Sequence, residues 1–220
     1  MFIGHYGPAF AAKPVARQVP LWVLFVAVQA LDFCWSGLIL LGVEKAHIVP
    51  GFTEASALDL YYMPYTHGLI GALILSVLFG VLGLAFVREK RAAAFAVIAC
   101  AVFSHWLLDL IVHVPDLPLL GDSMKVGFGL WRWMWISLPL ELAFLAAGAW
   151  VYARAVPSRT RRGDLWLWLF VAAMAAVELY GAFGPPPPTP AAEAQTALLA
   201  YTVLALLAAL VDWGRGTVRS

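Results

Sequence analysis

The sequence predicts an all-α integral membrane protein with six spanning helices. Three observations carry that expectation. Of 220 residues, 63% are hydrophobic and 12% charged, where soluble domains run at roughly 45–50% and about 25%. Several apolar runs reach the ~20 residues that cross about 30 Å of hydrocarbon. Basic residues gather on alternate connections between those runs, as membrane topology requires. The net charge of +1 gives no sign of a nucleic-acid partner, and the lipid bilayer is the first partner expected.

The whole chain, 1–220, reads as one transmembrane domain. Its opening segment, 1–19, contains "MFIGHYGPAFAAK", too short to span and too apolar to float in water. It is expected either to lie at the membrane interface or to re-enter the membrane. Re-entry would lift His5 about 12 Å from the surface at 1.5 Å per helical residue. Non-spanning backbone at that depth needs cover from protein or a cavity.

Spans are expected at 20–42, 65–87, 92–113, 130–155, 165–184 and 192–213. The first three, with their loops, occupy 20–128, and the last three occupy 129–220. With both termini cytoplasmic, the inner segments hold Lys13, Arg17, Arg88, Lys90, Arg91, Arg154, Arg159, Arg161, Arg162, Arg215 and Arg219. The outer segments hold only Lys45, Lys125 and Arg132, which completes the 14 basic residues. That imbalance predicts an N-in, C-in orientation. Tryptophans agree: "WRWMW" at 131–135 marks one interface, and Trp166, Trp168 and Trp213 mark the other.

The outer loops, 43–64 and 115–129, are the longer ones, and "GPPPPTP" caps the fifth span. Long loops on one side often carry a binding face. No cleavable signal is expected, because the first apolar run lacks a basic start. Cys34 and Cys100 fall in separate spans, so they are read as small core side chains rather than a disulfide.

The spans contain acids that lipid would reject: Asp32, Asp109, Glu141 and Glu178. Such groups are costly in hydrocarbon and normally face the bundle interior. No lysine or arginine lies deep in a span to neutralise them. Either they are protonated or a bound cation balances them.

"HWLLDLIVH", residues 105–113, repeats His105, Asp109 and His113 at four-residue steps. At 3.6 residues per turn these share one helix face. Helices present zinc ligands in this way, so His105 and Asp109 are expected in a site. His113 is expected near the water interface. In "PYTHG", 64–68, Thr66 is read as an N-cap, with His67 in the first turn. There the helix dipole would keep the imidazole neutral and fit for a metal. Asp32 and His105 are expected at similar depths, about 18 and 20 Å from the inner surface by helical rise. Glu141 and Glu178 fit interhelical hydrogen bonding equally well. His47, Asp59, Asp116 and Asp122 are read as solvated loop charges, Asp116 being noted because "HVPDLP" keeps it close to the stripe.

The order of "GH" (4–5), "LD" (31–32), "YTHG" (65–68) and "SHWLLD" (104–109) resembles the LexA-regulated group of bacterial membrane-bound, metal-dependent hydrolases. The resemblance covers about the first 120 residues. Met63, Pro64 and Tyr65 stand where the group has a His-Arg, and Gly68 stands for its serine. The resemblance implies a bacterial inner-membrane location and metal-activated hydrolysis. Together with the stripe it points to His67, His105, Asp109, His5 and His113 as candidate metal ligands. Asp32 and Glu178 are the candidate general bases. The expected cofactor is a divalent metal ion such as Zn²⁺, and the expected substrate a lipid or lipid-linked phosphoester that arrives laterally. The competing expectations are a proton- or ion-coupled transporter or accessory subunit, and a bis-histidine haem protein.

Overall fold

A computed structural model describes residues 1–158 and 161–215, except for the side chain of Arg161. Of the inner basic residues counted above, Arg159 and Arg219 lie outside the described residues.

The described residues fold into eight α-helices and one small hairpin. A 3₁₀ turn at Ile3–His5 leads into the short helix α1, Tyr6–Ala12. Then come α2 (Leu21–Val28), α3 (Ala30–Leu40), the strands β1 (Lys45–Ile48) and β2 (Leu58–Tyr62), and α4 (Leu69–Gly83). They are followed by α5 (Arg91–Val112), α6 (Met134–Ala155), α7 (Arg161–Phe183) and α8 (Pro190–Arg215). Among the described residues five helices are long and apolar enough to cross a membrane, and α2 with α3 would make a sixth if that pair is one span. Large apolar side chains stand exposed along α4, α7 and α8, among them Ile74, Val81, Leu169, Tyr180 and Leu206. In water such a surface would be a liability, whereas hydrocarbon is its natural solvent.

Four details depart from the sequence expectations. The loop after α3 is not irregular: β1 and β2 pair antiparallel, with a bulge between Lys45 and His47, so the fold is not purely α. The first span is broken, its two halves meeting at 54° across Gln29. The second begins at Leu69 with Gly68 as N-cap, not at Tyr65. Thr66 therefore caps nothing, and His67 sits in the turn ahead of the helix. Cys34 and Cys100 are both free thiols, and Cys100 faces outward rather than into the core.

The N-terminal segment lies inside the bundle, not on its face. Ile3, His5, Tyr6, Ala9 and Phe10 are fully buried, and α1 packs against α6, α2 and α5. Two glycines make this possible. A Cβ on Gly7 would run into the Phe144 carbonyl, and one on Gly148 into the backbone of Gly7. Bare backbones thus touch where α1 crosses α6, the small-residue contact that lets helices approach closely in membranes. Glu141 adds a polar tether: its Oε2 accepts from the Phe2 N–H at 2.7 Å and the Gly4 N–H at 3.5 Å. At the far end Lys13 is buried, donating to Asp212 at 2.7 Å and to the Val19 carbonyl at 2.8 Å. The segment is pinned at both ends.

Candidate metal centre

Four parts of the chain deliver side chains to one buried point. His5 comes from the N-terminal turn, and Asp32 from the first turn of α3, just past the break. His67 comes from the turn ahead of α4, His105 and Asp109 from the last turns of α5, and His113 from the residue that ends α5.

Asp109 is the hub. Its Oδ2 lies 3.0 Å from His105 Nε2 and 3.6 Å from His67 Nε2. Its Oδ1 lies 3.1 Å from His5 Nε2 and 3.6 Å from His113 Nε2. Asp32 Oδ1 closes the first group, 3.2 Å from His67 Nε2 and 3.5 Å from His105 Nε2. Ligand atoms held 2.0–2.2 Å from one tetrahedral ion stand roughly 3.3 Å apart, and these spacings bracket that value. Two sets, His5–His105–Asp109 and Asp32–His67–His105, each bring their ligand atoms within 4.8 Å of one another and could hold a metal ion.

Hydrogen bonding on the far side of each ring strengthens the case. His105 Nδ1 lies 2.7 Å from the Val28 carbonyl. A carbonyl only accepts, so Nδ1 carries the proton. Val28 is the last residue of α2, and the break at Gln29 aims its carbonyl at α5. His113 Nδ1 donates to Asp116 Oδ1 at 2.8 Å. Thr66 Oγ1 donates to Glu44 Oε2 at 2.6 Å, which leaves it to accept from His67 Nδ1 at 2.9 Å. Each of these three imidazoles thereby turns Nε2 toward carboxylate oxygens, and if that nitrogen carries no second proton it presents a lone pair to them. Lone pair against carboxylate is repulsive unless a positive centre stands between them. For His105 that centre is poorly described as a shared proton: Nε2 is only 3.0 Å from Asp109 Oδ2, yet it makes no hydrogen bond. Histidines that bind metals are oriented in this way, with the distal N–H given to a carboxylate, carbonyl or hydroxyl.

Four findings depart from expectation. His113 is not at a wet interface: it is 2% exposed, covered by Trp131 with ring centroids 4.2 Å apart. Asp116, its partner, is also buried rather than solvated. Glu178 faces the cavity described below, but among the described residues no ion pair joins it to the histidines. Finally, the acids do have one cationic neighbour, the Met1 amino group, which lies 2.9 Å from Asp109 Oδ1. No residue type announces a terminal amine in a sequence.

Two further residues went unnoticed in the sequence. Tyr201 on α8 donates to Asp32 Oδ2 at 3.0 Å, although the last three helices showed no motif. Glu44 was an unremarkable loop acid, yet it is buried and also accepts the N–H groups of Tyr65 and Thr66 at 2.9 and 3.0 Å. It shapes the turn that aims His67. The loop pairs His47–Asp59 and Lys125–Asp122, at 3.2 and 3.0 Å, lie away from the centre as expected.

The cluster opens onto a cavity of about 740 Å³, within the usual 300–1,000 Å³ of ligand pockets. Asp32, His67, Asp109 and His113 form part of its lining, as do α7 and α8 near Glu178 and Tyr201 and the turn between β1 and β2.

No protein-family model, curated protein or solved structure matches the chain. Its function is therefore argued from this geometry.

Proposed function

We propose that this protein is a membrane-embedded, metal-dependent hydrolase of a lipid or lipid-linked phosphoester, seated in the bacterial inner membrane. The observation that carries the reading is the arrangement of His67, His105 and His113. Each gives its Nδ1 proton to a fixed acceptor and turns Nε2 toward Asp109 or Asp32. His67, His105, Asp32 and Asp109 are the residues that would hold a divalent ion, Zn²⁺ being the one suited to this nitrogen and oxygen set. Bound there, the ion supplies Lewis-acid polarisation and a water whose pKa is lowered toward about 7.

The chain's own groups supply the rest. Asp32, expected as a general base, is better used as a ligand, because its Oδ1 lies among the imidazole nitrogens and Tyr201 holds its Oδ2. Glu178 stands on the cavity wall without a cluster partner, so it is free to take up a proton from a substrate or water in the cavity. The share of α7 and α8, whose outer faces are apolar, in the cavity wall favours a substrate that arrives from the bilayer. The order of the motifs along the first three spans, which resembles the bacterial metal-dependent membrane hydrolases, supports the same reaction class. Eleven inner basic residues against three outer ones favour cytoplasmic termini, which puts the centre in the outer half of the membrane.

The haem alternative fits poorly. His5 lies flat on His105, centroids 3.7 Å apart, so the two rings do not oppose their nitrogens across a macrocycle. Elemental analysis of purified protein, paired with phosphate release from a lipid monophosphate ester in detergent, tests the proposal. A stoichiometric divalent metal and activity, both lost in His105→Ala and Asp109→Ala, are expected. Metal-free wild-type protein that conducts protons in vesicles would instead establish the transport reading.

A further inference from the structure

The centre has more ligands than one ion can use, and they divide by which oxygen of Asp109 they approach. On the Oδ2 side stand His67 and His105, with Asp32 completing the set. On the Oδ1 side stand His5 and His113. His5 is fully buried, and neither of its ring nitrogens has a hydrogen-bond partner. A buried imidazole with no partner costs the desolvation of its polar atoms. A residue so expensive, aimed at a carboxylate 3.1 Å away, needs a ligand to justify it.

We infer that the centre is dinuclear, with Asp109 bridging two divalent ions through its two oxygens. The inference rests on the metal-centre reading above and extends it. The first ion takes Asp32, His67, His105 and Asp109 Oδ2, the set named above, where water joins only by expansion to five ligands. The second takes His5, His113 and Asp109 Oδ1. Three protein ligands leave a position for water or substrate, as catalytic sites do. Both positions border the cavity, the first through Asp32 and His67, the second through His113, and Asp109 serves both. Paired ions in hydrolytic sites stand about 3.5–4 Å apart, a separation that one bridging carboxylate supports. The geometry also explains the N-terminal segment. Its burial, its glycine contacts with α6 and its tether to Glu141 serve to deliver one imidazole to the second ion. The Met1 amino group is the rival for that position, since it lies on the same oxygen at 2.9 Å.

Manganese titration of the full-length protein tests the inference, read by electron paramagnetic resonance and by bound metal per chain after gel filtration. Wild type is expected to bind two Mn²⁺ and to show the broadened spectrum of a coupled pair. His5→Gln and His113→Gln should each fall from two ions to one, with the spectrum of an isolated ion. Asp109→Asn should lose the coupling. One ion in wild type, unaffected by His5→Gln, would overturn the dinuclear assignment and leave the amine on Oδ1, with the mononuclear centre intact. Two ions that persist in both histidine variants would overturn it as well. No bound ion would overturn this inference and the metal-centre reading together. The wild-type spectrum decides the question even if a variant fails to fold.

Discussion

Tyr201 on α8 donates its hydroxyl to Asp32 on α3, across 3.0 Å and 169 positions of sequence. The bond turns Asp32 so that Oδ1 faces His67 and His105. Tyr201→Phe keeps the ring, which packs on Phe2 and Phe33, and removes only the donor. Loss of such a supporting partner typically weakens metal binding 10–100-fold. Competition with a chelator should show a drop of that size, with helix content unchanged by circular dichroism. Wild-type affinity in the variant would mean that Asp32 is no ligand.

The chain of bonds from Glu44 through Thr66 to His67 makes a second prediction. Thr66→Val preserves shape but leaves His67 Nδ1 without its acceptor, so the ring loses its fixed tautomer. Metal affinity should fall by about tenfold, and Thr66→Ser should restore it. If valine and serine behave alike, the hydroxyl does not orient the ring.

Gly7 and Gly148 bring α1 against α6 backbone to backbone. Alanine at either position forces a Cβ into main-chain atoms that cannot yield, and overpacking of this kind costs about 1–3 kcal/mol. Thermal melting in detergent should detect the loss. Deletion of residues 1–8 should lower bound metal while leaving membrane insertion intact. Unchanged metal content after that deletion would exclude His5 from the centre.

Buried Lys13 pairs with the half-buried Asp212 at 2.7 Å at the opposite end of α1. Asp212 also accepts from Tyr152 and from the Leu21 N–H, at 2.9 and 3.1 Å. Lys13→Met leaves that carboxylate without its cation. Breaking one half of a fully buried pair costs about 3–5 kcal/mol, the upper bound here. A domain of this size should then melt lower, by up to roughly 20 °C. A melting temperature within a degree of wild type would show that the pair does not anchor the segment.

The long apolar helices were legible because lipid imposes a simple rule on helices that cross it: some twenty apolar residues. The stripe His105–Asp109 was legible because both residues lie on one helix, where spacing alone sets the face. His113 was placed on that face but misjudged in exposure, since the loop and Trp131 that cover it fold back from later sequence. Thr66 was misread as a cap because a threonine before an apolar run fits that pattern, while Glu44, 22 positions earlier, claims its hydroxyl.

Sequence by itself thus determined the solvent, the helices and which residue types carry charge into the membrane, because those depend on local composition and period. Tertiary structure alone decided which of those residues meet. The bend at Gln29, the bare glycine contact under α1 and the reach of Tyr201 from α8 are long-range packing events. Packing, unlike periodicity, leaves no local mark on the chain.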